Sequence, residues 1–120
     1  MDSGPAQKDV EIRAAIDELN EAEKNVRGVR EDVERWQQEN PPPKQPKSVQ
    51  RMAEVEEFEG RKVAWNKLYM EHRERLEQAQ AQLHAAQEKL VSLLPQEIGY
   101  EYKGKRYQRE RRSYRVDNIG

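Results

Sequence analysis

The sequence contains no cysteine, one phenylalanine, six glycines in 120 residues, and almost no net charge, at -1. Without cysteine there are no disulfides, no cysteine-held zinc or iron-sulfur clusters and no thiol nucleophile, which suits a reducing compartment. Long apolar runs are also missing. The longest, Leu90–Leu94, falls far short of the ~18 residues a membrane span needs. The first residues, Met1–Pro5, carry no basic region or apolar stretch, so no signal peptide is expected. Leu, Ile, Val and Phe together number 21, too few for a large globular core and for most enzyme folds. These shortages point to a soluble cytoplasmic protein with no membrane association.

Charge and helix formers are what the chain has in excess. Charged residues make up 38%. Ala, Glu, Lys, Leu and Arg sum to 57 residues, near the half share of a long helix or coiled coil. Residues 1–7, with Gly4 and Pro5, read as a flexible N-terminus. Residues 8–39 then carry a heptad. Ile12, Leu19, Val26 and Val33 take position a, and Ala15, Ala22, Val29 and Trp36 take position d. The proline-rich segment 40–47 cannot be helical and reads as a stiff extended loop. A second helix is expected over 48–94, with Ser48 as N-cap and Pro95 as terminator. Its a positions are Val55, Lys62, Tyr69, Leu76, Leu83 and Leu90, and its d positions are Phe58, Trp65, His72, Ala79, Ala86 and Leu93. Two such helices joined by a short loop predict an antiparallel coiled-coil hairpin over 8–94.

A turn centred near residue 44 sets residues whose numbers sum to about 88 side by side. Ile12 then lies level with Leu76, and Gly28 with Gly60. Leu83, Ala86, Leu90, Leu93 and Leu94 project past the start of the first helix and need a cover. The cover is expected from the C-terminal segment, a second copy or another protein. Residues 95–120 supply the first of these. Ile98, Tyr100 and Tyr102 alternate with Gly99 and Glu101, and Lys103-Gly104 forms a two-residue turn. The resulting β-hairpin sets Tyr100 against Tyr107 and Glu101 against Arg106, with a third strand over 113–116. The predicted fold class is mainly α, a two-helix coiled-coil hairpin followed by a small C-terminal β-hairpin.

Chemistry-bearing constellations are sparse. His72 sits on the seam, but Leu68, Tyr69, Arg75 and Leu76 at helical spacing supply no metal ligands. His84 falls on a solvent position. The carboxylates around Glu18 and around Glu54–Glu59 lack the Glu-x-x-His spacing of di-iron bundles and read as solvated faces. No phosphate-cradling loop, zinc-protease motif or nucleophile elbow occurs. No catalysis, cofactor or small-molecule substrate is expected. Pro43-Lys44-Gln45-Pro46 is formally a PxxP unit and reads as the inter-helix turn.

Two surface features remain. Residues 98–120 carry Lys103, Lys105, Arg106, Arg109, Arg111, Arg112 and Arg115 against Glu101, Glu110 and Asp117, a balance of +4 beside a body of -5. Interleaved with tyrosines, these cations form a candidate nucleic-acid surface. The competing reading makes the tyrosines a small core and the arginines its solvated or acid-docked face. The second feature is an apolar line outside the seam, formed by Val49, Val63, Met70 and Val91 with Met52 and Leu94 beside it. The functional expectation is a non-catalytic structural or adaptor protein, a homodimer or a subunit of a larger complex. Its contact end is expected at Leu83, Leu90, Leu93, Leu94, Tyr100 and Tyr107. The alternative is a nucleic-acid accessory protein. Buried tyrosine rings favour the first, exposed rings the second.

Overall fold

The computed structural model describes residues 4–45 and 52–120. Two long helices, α1 (Gly4–Glu39) and α2 (Met52–Leu93), pack against each other. They are followed by strands β1 (Tyr100–Tyr102), β2 (Lys105–Glu110) and β3 (Ser113–Asn118). The strands form one antiparallel sheet in the order β1-β2-β3. The helix starts earlier than residue 8 because proline is tolerated in a first turn, whose N–H groups have no intrahelical acceptor. It ends at Glu39, ahead of the proline run. The proposed N-cap Ser48 lies outside the described residues. The chain divides into two compact units, Met1–Asn25 with Gln80–Gly120, and Val26–Ala79.

The first unit holds the larger core. Ile12, Ala15, Ile16 and Leu19 of α1 are buried with Ala86 and Leu90 of α2, Leu94 just after it, and Tyr107 of β2. Glu18 pairs with Lys89 at 3.1 Å. Their numbers sum to 107, so the expected register near 88 is wrong here. Leu90 and Leu94 therefore do not overhang. They pack with Ile12, Ala15, Ile16 and Leu19 of α1, and Leu90 is wholly buried. Ile16, outside the heptad seam, is also wholly buried, because the core of this unit takes in Tyr107 as well as α2. A helix buried on two sides needs an apolar face wider than an a/d stripe.

The β-hairpin has the expected register, Tyr100↔Tyr107 and Glu101↔Arg106. Its turn residues Lys103 and Gly104 both have positive φ, 52° and 76°. That combination matches the twist of the flanking strands. The third strand is present and runs on to Asn118, paired with β2 from Glu110↔Ser113 to Lys105↔Asn118.

In the second unit, Asp32 of α1 faces Arg75 of α2 at 3.7 Å. These numbers again sum to 107, and Gly28 is not level with Gly60. Both glycines are exposed, and nothing lies within 4 Å of where a Cβ would stand. Trp65 donates its indole N–H to the Asn40 carbonyl at 2.7 Å. Asn40 is the first residue after α1, so Met52–Ala64 run past its end. Pro43 and Lys44 share a shallow depression with Glu54, Glu57, Phe58 and Arg61. Pro43 and Lys44 thus lie beside the first turns of α2, while Pro46 and Lys47 fall outside the described residues. Extended chain advances about 3.1 Å per residue against about 1.5 Å in a helix. A short proline run can therefore cover a longer stretch of helix, and this moves the register away from the symmetric expectation.

Leu90→Ala removes a wholly buried side chain and is expected to cost about 2–5 kcal/mol of unfolding free energy. Val63→Ala, at an exposed site, is expected to change it by less than about 0.5 kcal/mol. Urea unfolding followed by circular dichroism measures both.

Candidate interaction surfaces

The sheet is tied to α1 by the tips of its tyrosines. Tyr100 donates its hydroxyl proton to the Asp9 carboxylate and lies 3.3 Å from Arg13 Nε, which donates to it. Arg13 also pairs with Asp9 at 3.1 Å. Tyr102 donates to Asp17 at 3.1 Å, and Lys103 Nζ reaches the other Asp17 oxygen at 2.8 Å. The Arg13 guanidinium lies 5.7 Å from the centre of the Tyr102 ring, within cation–π range. Tyr107 is buried among the helices, and Tyr114 sits half-buried at 6.4 Å from it. Basic tail meets acidic helix here, and Tyr100 and Tyr102 each put a ring against the core and a hydroxyl on a carboxylate.

This contact moves pKa values in defined directions. Burial raises the phenols of Tyr100, Tyr107 and Tyr114 above the usual 10.0. Nearby carboxylates add to it, Asp9 for Tyr100 and Glu23 for Tyr107 and Tyr114. The Lys103 hydrogen bond holds Asp17 below 3.8, helped by Tyr102 and opposed by desolvation.

The opposite face of the sheet is nearly self-neutralising. Arg106 pairs with Glu101 at 2.6 Å, and Arg115 with Asp117 at 3.1 Å and Glu110 at 3.8 Å. Of the seven cations in the candidate nucleic-acid set, Lys103, Arg106 and Arg115 are thus engaged with carboxylates of the chain. Lys105, Arg111 and Arg112 are exposed, and Arg109 is half-buried. The four do not share one face. Lys105 and Arg109 follow the side of Tyr107, while Arg111 and Arg112 occupy the β2–β3 turn.

The residues of the expected contact end lie in or against the core of this unit. Leu90, Leu94 and Tyr107 are buried, and Leu83, Leu93 and Tyr100 are half-buried against them. They form the chain's own core, because the sheet covers this end and the register removes the overhang. Sequence reasoning named the sheet as one of three covers. It missed the acids that anchor it, Asp9 and Asp17. The signal for them was the excess of acid in the helices opposite a basic tail.

In the second unit an aromatic group fills the helix contact. Trp36 lies 5.5 Å from Trp65 and 4.7 Å from His72, and Trp65 stacks on Tyr69 at 5.1 Å. His72 Nδ1 is buried without a hydrogen-bond partner. Among the described residues no group of His, Cys, Asp and Glu could hold a metal ion. The other face of α2 is open. Met52, Val63 and Met70 are 77%, 66% and 63% exposed. Val91, placed on the same line by sequence, is half-buried, and Leu94 is buried.

No helix among the described residues is long and apolar enough to cross a membrane. Comparison with protein-family models, with curated proteins and with solved structures finds no match.

Stability should therefore fall at both extremes of pH. The tyrosines carry raised folded values, so their contribution is complete below pH 10 and is lost as pH climbs through those values. Asp17 carries a lowered value, so its contribution is complete above about pH 3.8 and is lost as pH falls through the folded value. Ultraviolet titration should show a tyrosinate fraction that appears only as the sheet unfolds. Asp17→Asn should flatten the acid limb of thermal stability, whereas an unchanged limb counts against the Asp17–Lys103–Tyr102 contact.

Proposed function

We propose that this protein is a non-catalytic structural or adaptor protein that brings protein partners together, in a cytoplasmic setting. The observation that carries the reading is the line Met52, Val63 and Met70 on α2. At about 100° per residue these three fall within a narrow stripe, on the side of the helix away from Trp65, His72 and Leu76. Exposed apolar side chains in register on a stiff helix are how a helix meets another helix or a groove. Single exposed valines are ordinary on protein surfaces, and it is the alignment that supports an interface. The heptad seams fit a coiled-coil hairpin whose role is to hold this face straight.

The nucleic-acid reading is less well supported. Its stacking platform would need exposed rings, yet Tyr107 is buried and Tyr100, Tyr102 and Tyr114 are half-buried. Several of its cations are also paired within the chain.

A photo-crosslinking residue at position 63 or 70, introduced in the cell that makes the protein, is expected to give a discrete protein adduct. The same residue at position 27, on an exposed polar site of α1, should give none. Absence of any adduct at 63 and 70 contradicts the reading. So does steeply salt-dependent DNA or RNA binding that falls on Arg111→Ala/Arg112→Ala substitution.

A further inference from the structure

The sheet has two edges of different character. β1 is only Tyr100–Tyr102, and its tyrosines are engaged with α1. β3 is twice as long, Ser113–Asn118, and exposed along its length except at Tyr114. Proteins usually blunt such an edge with proline, a bulge or charged side chains, lysine above all, and the charges of β3 are one of each sign, Arg115 and Asp117. β3 has no proline and no lysine, and its pairing with β2 is continuous. The Ile119 N–H donates to the Gly104 carbonyl at 3.0 Å, which fixes the direction of the backbone groups. With the observed register, Ser113, Arg115 and Asp117 point their N–H and C=O toward β2. Those of Tyr114, Val116 and Asn118 point away from β2, without strand partners among the described residues.

The side chains of this free edge are complementary to themselves. If β3 meets a second β3 antiparallel about a two-fold axis at Val116, Val116 exchanges both main-chain bonds with Val116 of the second copy. Tyr114 does the same with Asn118 of the second copy. Arg115 then faces Asp117 of the second copy, and Asp117 faces Arg115. These are non-hydrogen-bonded positions, where side chains on the same face come closest. Centring the axis on Arg115 or on Asp117 would oppose like charges. Centring it on Tyr114 or Asn118 would set Arg115 against Ser113 or Asp117 against Ile119, with no matched charge within the strands. Only the Val116 register both uses the outward backbone groups and pairs opposite charges, and it brings two half-exposed valines together on the other face.

We propose that the chain self-associates through β3, two copies joining edge to edge into one continuous antiparallel sheet. The proposal names a second copy as a partner, on a surface separate from the α2 face, so either can fail while the other stands. An interface built on one strand pair is small, and its dissociation constant is expected on the order of tens of micromolar.

Sedimentation from about 1 µM to about 1 mM tests it. The native chain is expected to pass from monomer to dimer across that range. Arg115→Asp and Asp117→Arg should each weaken the dimer about tenfold or more, since each sets like charges across the axis twice. The double swap Arg115→Asp/Asp117→Arg should return it to within about threefold of the native chain. Val116→Pro should abolish the dimer and leave the sheet intact, because the N–H it removes points away from β2. Near-ultraviolet circular dichroism of the buried tyrosines reports folding of each variant. A chain that stays monomeric to about 1 mM overturns the proposal. Folded single variants that dimerise like the native chain do the same. If the double swap does not fold, Val116→Pro decides, and a folded Val116→Pro dimer also overturns it. Crosslinking at positions 63 and 70 is independent of all these outcomes.

Discussion

The contact on which the first unit depends is the seating of Tyr107 between two helices. Ile12, Ile16 and Leu19 on one helix and Leu90 and Leu94 on the other would leave an apolar end open to water. The sheet closes it with one buried ring and three half-buried ones. The hydroxyls of Tyr100 and Tyr102 are satisfied by Asp9, Arg13 and Asp17, which turns the acid–base asymmetry of the sequence into a directed attachment. Exposed ion pairs of this kind contribute little individually. Their use here is orientation, because they fix which way a largely apolar contact is laid down.

Charge elsewhere in the tail does different work. On the outer sheet face, Glu101, Arg106, Glu110, Arg115 and Asp117 form a mixed patch with little net field. A tail that is basic by count is therefore not a basic surface by geometry. The second unit uses another economy. Its contact is aromatic, with Trp36, Trp65, Tyr69 and His72 filling space that the small seam residues leave, and the proline run covers helix that α1 does not reach.

Much of the fold was legible in the sequence because local rules governed it. The heptads marked the helices, the prolines ended α1, Pro95 bounded α2, and Lys103-Gly104 with alternating tyrosines fixed the hairpin and its register. The helix register was not legible. It depends on where the proline segment lies, and heptads repeat, so sliding by whole heptads keeps the seams matched. The observed register places Leu90 and Leu94 in the core, with Leu83 and Leu93 half-buried against it. Ile16 was missed because a two-element seam needs no apolar residue at that position, while a three-element core does. The anchoring acids were missed because they look like any solvated carboxylates until the strand opposite them is placed.

The central claim is that sheet and helices form one cooperative core in this unit. Native-state hydrogen exchange tests it residue by residue. The account predicts that the β2 amide hydrogen-bonded across the sheet at Tyr107 and the α2 amide at Leu90 exchange with the same opening free energy and respond alike to low urea. A Tyr107 amide that exchanges freely while Leu90 stays protected would contradict it, leaving the helices to stand without the sheet.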